Sequence, residues 1–161
     1  MANDIFLKVE GIDGESRDSK HDKHIDVLSY SWSESQTGSF ATGGGGGTGK
    51  VTMADLNVTF LQNKASAPLF LACATGEHIK KIELKCRRAG KTQIEYLVIT
   101  LSDCLISGYQ TGATTGGETL PVESVSINFA KIEMAYTPQK PDGTADSPVK
   151  AGWDRTKNAK V

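Results

Sequence analysis

A run of five consecutive glycines, Gly43 to Gly47, interrupts the chain far from either end of the sequence. Glycine loses the most backbone freedom on ordering and has no side chain to pack, so this run cannot form the interior of a helix or a strand. The flanking segments, 24–35 and 51–62, both have the alternating pattern of strands. A long loop between two strands of a small domain is usually either functional or disordered. We interpret it as a protruding contact arm.

The end of the glycine run resembles a phosphate-binding motif, because residues 44–50 fit the pattern G-x-x-x-x-G-K. That motif requires a Ser or Thr next, as a ligand for Mg²⁺, and then a helix whose N-terminus faces the phosphate. Val51 occupies the hydroxyl position, and the residues after it are β-branched and alternate as in a strand. The pattern therefore argues against a nucleotide site. A plain hairpin connection and an interaction arm both remain as interpretations.

The composition excludes several classes of protein. With 161 residues the chain can build a real core, and its formal net charge of −1 lacks the basic excess of a nucleic-acid-binding protein. No apolar stretch is long enough to span a membrane, and the N-terminus lacks the features of a signal peptide. The three cysteines have no metal or redox spacing and indicate buried thiols in a reducing cytosol. We expect a cytoplasmic protein without a cofactor, a nucleic-acid partner or a membrane partner.

Alternation of apolar and polar residues in most segments predicts about seven long antiparallel strands. One helix is expected, with Ser66 as its N-cap and Gly76 after its C-terminus. The apolar positions of 122–136 change phase, which predicts a β-bulge near Ala130. Trp153 is expected to anchor the C-terminal tail. The predicted fold is mainly β: an antiparallel β-barrel or two-sheet sandwich, with one flanking α-helix and a protruding loop, in a single domain over residues 1–161.

The segment 24–35 is the most informative predicted strand. One face carries large apolar residues and the other carries small hydroxyls: Leu28, Tyr30 and Trp32 against Ser29, Ser31 and Ser33. The apolar face should be core. A face turned to bulk water usually carries Lys and Glu, whereas a run of serines suits an enclosed wet surface. An ordinary solvent-facing surface remains the alternative.

Candidate catalytic and metal sites are weak. His21 and His24 lie near Asp18 and Asp22 in a polar loop, but histidines in such loops are usually solvated, so no metal is expected. The alternation of 79–89 turns Arg87 away from the core. The sequence contains no G-x-S-x-G, H-E-x-x-H or Cys–His signature, and we expect no enzymatic activity.

Taken in order, several short motifs resemble the Hcp family, the haemolysin-coregulated proteins that form the inner tube of bacterial type VI secretion systems. The resemblance covers essentially the whole chain. Its marks are Asp4-Ile-Phe-Leu-Lys, Gly14-Glu-Ser, Ile25-Asp-Val-Leu with Ser31-Trp32, Gly49-Lys50-Val51, Glu95-Tyr-Leu, Asn128-Phe-Ala and Val149-Lys150 with Gly152-Trp153.

The resemblance implies a homo-hexameric ring that stacks into a tube, with a spike protein at its tip and a contractile sheath around it. It also implies effector proteins held in the lumen, and export without a signal peptide. Ser31, with Ser29 and Ser33, resembles the lumen-facing position of the family. The ring-stacking loop would comprise Gly43, Gly44, Gly45, Gly46, Gly47, Thr48, Gly49 and Lys50. A monomeric β-barrel that binds a small ligand and a nucleotide-binding enzyme remain as alternatives.

Overall fold

The computed structural model describes residues 3–38, 49–117 and 119–161 of the chain. These residues form eleven strands and one helix, and the paired strands are antiparallel, which confirms the predicted mainly β fold class. The strands are β1 (Asn3–Val9), β2 (Ile25–Asp26), β3 (Ser29–Ser31), β4 (Glu34–Ser35), β5 (Thr52–Met53), β6 (Leu56–Leu61), β7 (Ile79–Arg88), β8 (Glu95–Gly112), β9 (Val122–Tyr136), β10 (Val149–Asp154) and β11 (Ala159–Lys160). The helix, α1, spans Ser66–Thr75.

The sheet bends into two walls because β9 has different neighbours at its two ends. β8 pairs with β9 over nearly its whole length. The first wall consists of β3, β6, the N-terminal half of β9 and the C-terminal half of β8. The second wall consists of β1, β7, the N-terminal half of β8, the C-terminal half of β9, and β10. A single hydrophobic cluster draws its residues from the strands of both walls.

Residues 25–31, here called the bridging segment, connect the edges of the two walls. β2 pairs with β1 and β3 pairs with β6. Between them, the Val27 N–H donates to the Ile5 carbonyl at 2.9 Å, and the Leu28 N–H donates to the Thr59 carbonyl at 2.8 Å. Among the described residues no continuous ladder closes the circuit. The predicted β-barrel or two-sheet sandwich is therefore present in an open form, in which the sheet is not closed into a barrel and its edges are bridged by this segment.

The bridging segment also corrects the prediction of one long strand over 24–35. The chain forms three short strands there, because its hydrogen bonds change from β1 to β6 within a few residues. The break disturbs the alternation, and the Leu28 side chain is 55% exposed, so its predicted core position is wrong. Tyr30 and Trp32 pack against the core as predicted.

Alternation predicts the core of β6 correctly, since Leu56, Val58 and Phe60 are fully buried. The helix α1 adds Leu69 and Ala72 to the same cluster and packs against β8. It is too short to cross a membrane, and no other helix occurs in the parts of the chain that the structure describes. The Trp153 ring also packs against this cluster, which confirms its predicted anchoring of the tail.

The ends of α1 match the prediction at one side only. Gly76 follows the helix with φ 66°, in the left-handed region that favours glycine. The predicted N-cap is wrong, because Ala65 occupies that position. Ser66 is instead buried, and its hydroxyl donates to the carboxylate of Glu123, which is 1% exposed and also accepts from the Tyr109 hydroxyl. The serine thus fixes the helix to β9 through a buried carboxylate.

The predicted change of phase in β9 is real, but the β-bulge is not at Ala130. Up to Phe129 the buried residues of β9 have odd numbers, whereas the buried residue beyond it, Ile132, has an even number. The β8–β9 register is nevertheless continuous there. The irregularity lies in the partner strand, where Asp103 has φ 54°. The register shift itself occurs in β8 between Ile106 and Gly108.

The loop from 10 to 24, here called the N-terminal loop, covers the outer face of β1 and β7. Phe6 and Arg87 point outward from these strands, yet both are only 4% exposed. The His21 ring stacks on the Phe6 ring at 4.1 Å, and the Arg87 guanidinium lies 5.0 Å from the centre of the same ring. The prediction of solvated histidines is therefore wrong, since His21 is 1% exposed and His24 is 8% exposed.

A cluster of ion pairs, here called the arginine clamp, holds the N-terminal loop in place. Both terminal nitrogens of Arg87 donate to Asp18, at 2.9 and 2.7 Å, and one also donates to Asp4 at 2.9 Å. These bonds hold the pKa of the Asp18 carboxyl well below its usual range. The Nδ1 atom of His21 lies 3.1 Å from the Asp18 carboxylate, and its Nε2 atom lies 2.7 Å from the Glu95 carboxylate, so the ring connects the two. A planar guanidinium suits this role because it can satisfy several carboxylate oxygens at once.

The N-terminal loop generates a stability prediction at Gly14. A Cβ at this position would lie 2.7 Å from the His24 carbonyl carbon and 2.8 Å from the Ile25 Cα, which are backbone atoms. We expect Gly14→Ala to lower the free energy of unfolding by about 1–3 kcal/mol, as overpacking does. Gly112→Ala is the matched control, since a Cβ there meets nothing within 4 Å. Urea unfolding of both variants checks this, and equal midpoints would contradict it.

Candidate functional site

The outer surface of the first wall is the candidate functional site. Strand alternation turns Val58 into the core and leaves Asn57 and Thr59 on the opposite face. The same alternation places Ser29 and Ser31 outward on β3, where both are exposed. Residues directly opposite in an antiparallel pair share a face, so the register extends this surface across the neighbouring strands.

Two rows of small polar residues cross the first wall. Ser31 lies opposite Asn57, which lies opposite Ser126, which lies opposite Gly108. The next row runs from Ser29 through Thr59 and Ser124 to Gln110. Asp55, Ser107 and Asn128 extend the surface at one end. We call the following set the polar sheet face: Ser29, Ser31, Asp55, Asn57, Thr59, Ser107, Ser124, Ser126 and Asn128.

Hydrogen bonds between neighbouring strands connect these side chains. The Ser126 hydroxyl donates to the Asn57 side-chain oxygen at 2.6 Å, and the hydroxyls of Ser29 and Thr59 bond to each other. Several polar groups of the face thus satisfy one another while remaining open to solvent. The paired donors and acceptors have little residual capacity to hold one ligand firmly.

Asp55 is the one ionisable residue of the polar sheet face. Its carboxylate accepts from the Ser107 hydroxyl at 2.6 Å and from the Asn128 amide at 2.8 Å. The register shift between Ile106 and Gly108 places Ser107 within reach of Asp55. At Gly108 the strands approach closely, since a Cβ there would lie 3.2 Å from the Ser126 hydroxyl oxygen. The set contains no histidine, lysine or cysteine, so the Asp55 carboxylate is the one group in it that could accept a proton from a serine hydroxyl.

The second wall has a different outer surface. One row across its strands carries Lys8, Glu83, Thr100 and Glu133. The next row runs from Lys81 through Ser102 to Lys131. Glu83 pairs with Lys81 at 3.0 Å and with Lys85 at 3.7 Å. Charged residues thus alternate in sign on this wall, whereas the polar sheet face is almost neutral. The two walls present chemically distinct surfaces on opposite sides of one core.

The structure brings only some of the predicted site residues together. Ser29 and Ser31 belong to the polar sheet face, while Ser33 lies beyond the end of β3, where its carbonyl accepts the Ala54 N–H at 3.0 Å. Of the predicted ring-stacking loop, residues 43–48 lie outside the described residues. Gly49 and Lys50 are exposed and precede β5, so a strand follows the glycine run as predicted, where a P-loop requires a helix.

Sequence reasoning missed most of the polar sheet face, although a signal was present. Ser124, Ser126 and Asn128 alternate with the buried residues Val125 and Ile127, in the same way that serines alternate with apolar residues at 29–33.

The geometry does not support a metal site in the N-terminal loop, because both ring nitrogens of His21 are hydrogen-bonded to carboxylates, one to Asp18 and the other to Glu95. Across the described ranges, no group of three or more potential ligands is arranged to hold a metal ion.

The carboxylate of Asp55 generates a prediction about the stability of this surface. Asp55→Ala removes the acceptor of two short side-chain hydrogen bonds, so we expect the free energy of unfolding to fall by about 1–2 kcal/mol. Asp13→Ala, an exposed carboxylate in the N-terminal loop, is the control and should change it by less than about 0.5 kcal/mol. Guanidinium titration of the two variants compares them. An Asp55→Ala midpoint equal to that of the control would mean that these bonds contribute nothing.

Comparison with known proteins gives a consistent result. Residues 6–136 match the family model described as "Type VI secretion system effector, Hcp". The chain is 45% identical to Protein hcp1 of Pseudomonas aeruginosa, and the alignment covers all of both chains. A solved type six secretion system protein superimposes with a TM-score of 0.95 at 30% identity, covering 99% of this chain and 100% of the other. Hcp1 from Salmonella typhimurium gives a TM-score of 0.83 at 34% identity, with both chains covered completely. The chain therefore belongs to the Hcp family and is a type VI secretion system protein.

Proposed function

We propose that the chain is a structural subunit that forms a cyclic homo-hexamer, that these rings stack into the inner tube of the secretion system, and that effectors travel in the lumen. The observation that carries this proposal is the contrast between the two walls. The polar sheet face has one ionisable residue, Asp55, among small polar side chains, whereas the second wall carries charges of both signs. A lumen that must hold and then release cargo suits the first surface better than the second.

Ring closure requires apolar contacts between copies, and the chain has exposed apolar residues that fit this role. Phe70 and Leu71 on α1 are each 58% exposed, and Leu28 in the bridging segment is 55% exposed. Exposed apolar residues that are neighbours, as Phe70 and Leu71 are on α1, commonly mark interfaces. A heterologous contact between identical subunits closes into a ring when the rotation between them closes.

The remaining parts of the proposal concern partners and location. The stacked rings would meet a spike protein at the tip and a contractile sheath around the tube. The subunit would assemble in the cytoplasm and leave the cell through the secretion system itself. The whole chain, residues 1–161, would act as one domain without catalysis or a cofactor. The paired donors and acceptors of the polar sheet face support a carrier role rather than catalysis.

The first prediction of this proposal is the mass of the particle. A homo-hexamer of the 17.2 kDa chain has a mass of about 103 kDa. Size-exclusion chromatography with light scattering at micromolar concentration measures it. A mass of one chain would instead favour a monomeric ligand-binding protein and would overturn the ring.

The second prediction concerns Ser31, which lies in the first row of the polar sheet face. Ser31→Gln adds bulk without charge at an exposed position, so the free energy of unfolding should change by no more than about 0.5 kcal/mol. Retention of a cognate effector should fall, because each added side chain recurs six times around one lumen. A pull-down and a thermal melt of both proteins test this. Equal retention would remove Ser31 from cargo binding, and a large drop in melting temperature would place it in the core.

The third prediction separates stacking from ring formation. The predicted ring-stacking loop, 43–50, should contact the next ring, while strands and α1 should form the ring itself. Deleting residues 44–46 should therefore leave the particle mass unchanged and abolish secretion. Light scattering and a secretion assay measure the two effects. A monomeric deletion variant would assign the loop to the ring interface instead.

A further inference from the structure

His24 lies where the N-terminal loop meets the bridging segment. Its side chain is only 8% exposed, and its ring lies against the His21 ring at 5.3 Å in an edge arrangement. The Nδ1 atom is buried and has no hydrogen-bond partner among the described residues. A neutral imidazole tolerates this site, since one ring nitrogen carries no proton. An imidazolium does not, because both of its nitrogens carry protons that need acceptors.

The charges that face His24 also oppose a second proton. His21 approaches it from the N-terminal loop, Lys85 from β7 and Lys8 from β1, while Glu83 of β7 is the one opposing carboxylate among these groups. Burial, followed by the electrostatic influence of His21, Lys85 and Lys8, lowers the pKa of His24 below its ordinary value of 6.5. Site geometry and surrounding charge thus favour the same neutral state.

The backbone of His24 holds the start of the bridging segment. The Ser16 N–H donates to the His24 carbonyl at 2.9 Å, and the His24 N–H donates to the His21 carbonyl at 3.2 Å. Gly14 also lies directly against the His24 backbone. The next few residues make the bonds from Val27 to β1 and from Leu28 to β6 that connect the two walls. Movement of His24 would therefore disturb the bridge between the walls.

We propose that His24 is an acid-sensitive latch: on protonation its side chain leaves the buried site, and the bridging segment detaches locally from β1 and β6. The ion pair between Arg87 and Asp18 in the arginine clamp persists in the same pH range, because its hydrogen bonds hold the pKa of the Asp18 carboxyl well below its usual range. Opening is therefore confined to the region after the clamp rather than spread over the whole fold. The inference rests on contacts within one chain and does not depend on ring formation.

The sign of the effect follows from proton linkage. In the closed state the pKa of His24 is lowered, whereas in the open state the ring titrates near its ordinary value. Above that value both states are neutral and pH has no effect. As pH falls below it, the open state binds a proton that the closed state resists, so the opening equilibrium shifts toward the open state. At pH 5.5 an open-state imidazole with its ordinary pKa shifts the opening equilibrium by at most about tenfold.

The test is amide hydrogen exchange of peptides covering residues 24–31, with variants compared at equal pH so that intrinsic rates cancel. His24→Phe keeps an aromatic ring but cannot titrate, and His24→Gln is a second non-titrating variant. His78→Phe is the matched control, because His78 is the third histidine of the chain and its side chain is 65% exposed. We expect the exchange rate of the wild type and of the control, divided by the rate of a His24 variant, to be higher at pH 5.5 than at pH 7.5, by at most about tenfold.

Equal wild-type and His24→Phe ratios at both pH values would overturn the latch, and so would faster exchange spread uniformly over β7 and β8. If neither His24 variant folds, NMR titration of the three imidazoles in the wild type decides the matter. The latch requires His24 to protonate below its ordinary value of 6.5, together with the loss of amide protection in residues 24–31. A His24 titration at or above that value would contradict it.

Discussion

The rest of the structure depends on one constraint: along both β8 and β9, the alternation of buried and outward-facing side chains changes phase. One long hairpin runs through both walls, and its side chains exchange sides near Asp103 and Ala130. Beyond this point the buried residues of β9 change from odd to even positions, so one strand supplies the core from both of its faces. Because a strand has a side-chain period of two, this exchange needs a backbone irregularity, and the left-handed Asp103 provides one. Without it, the polar sheet face and the charged second wall could not both face outward.

The features that sequence analysis predicts correctly are those set by neighbouring residues. Alternation in β6 identifies Leu56, Val58 and Phe60 as core, and Gly76 marks the helix end through its own backbone preference. The features that it misses depend on residues far apart in the chain. Arg87 looks like an outward-facing charge of β7, and only the return of the N-terminal loop, with Asp18, buries it. No local pattern indicates a contact between residues 69 positions apart.

The same argument applies to the candidate site. The serines of β3 are recognisable as unusual, because exposed strand faces normally carry long charged side chains. Their partners Asn57 and Ser126 become part of one surface only through the strand register. Leu28 fails as a core residue for a related reason, since the bridging segment changes partners at that point. Positions where a chain passes from one wall to another are therefore the positions at which simple alternation is least informative.

We propose that the polar sheet face lines the inside of a ring of copies and that the second wall faces away from the lumen. Distances between spin labels on different copies test it most directly, in a background where Cys73 is replaced by alanine, since the other cysteines are buried. One set of rings carries labels at Ser31→Cys, and a second set carries them at Lys81→Cys on the second wall. The account predicts a shorter nearest-neighbour distance between copies at position 31 than at position 81, because lumen positions lie on a smaller circle. A longer distance at position 31, or no signal between copies at either position, would contradict it.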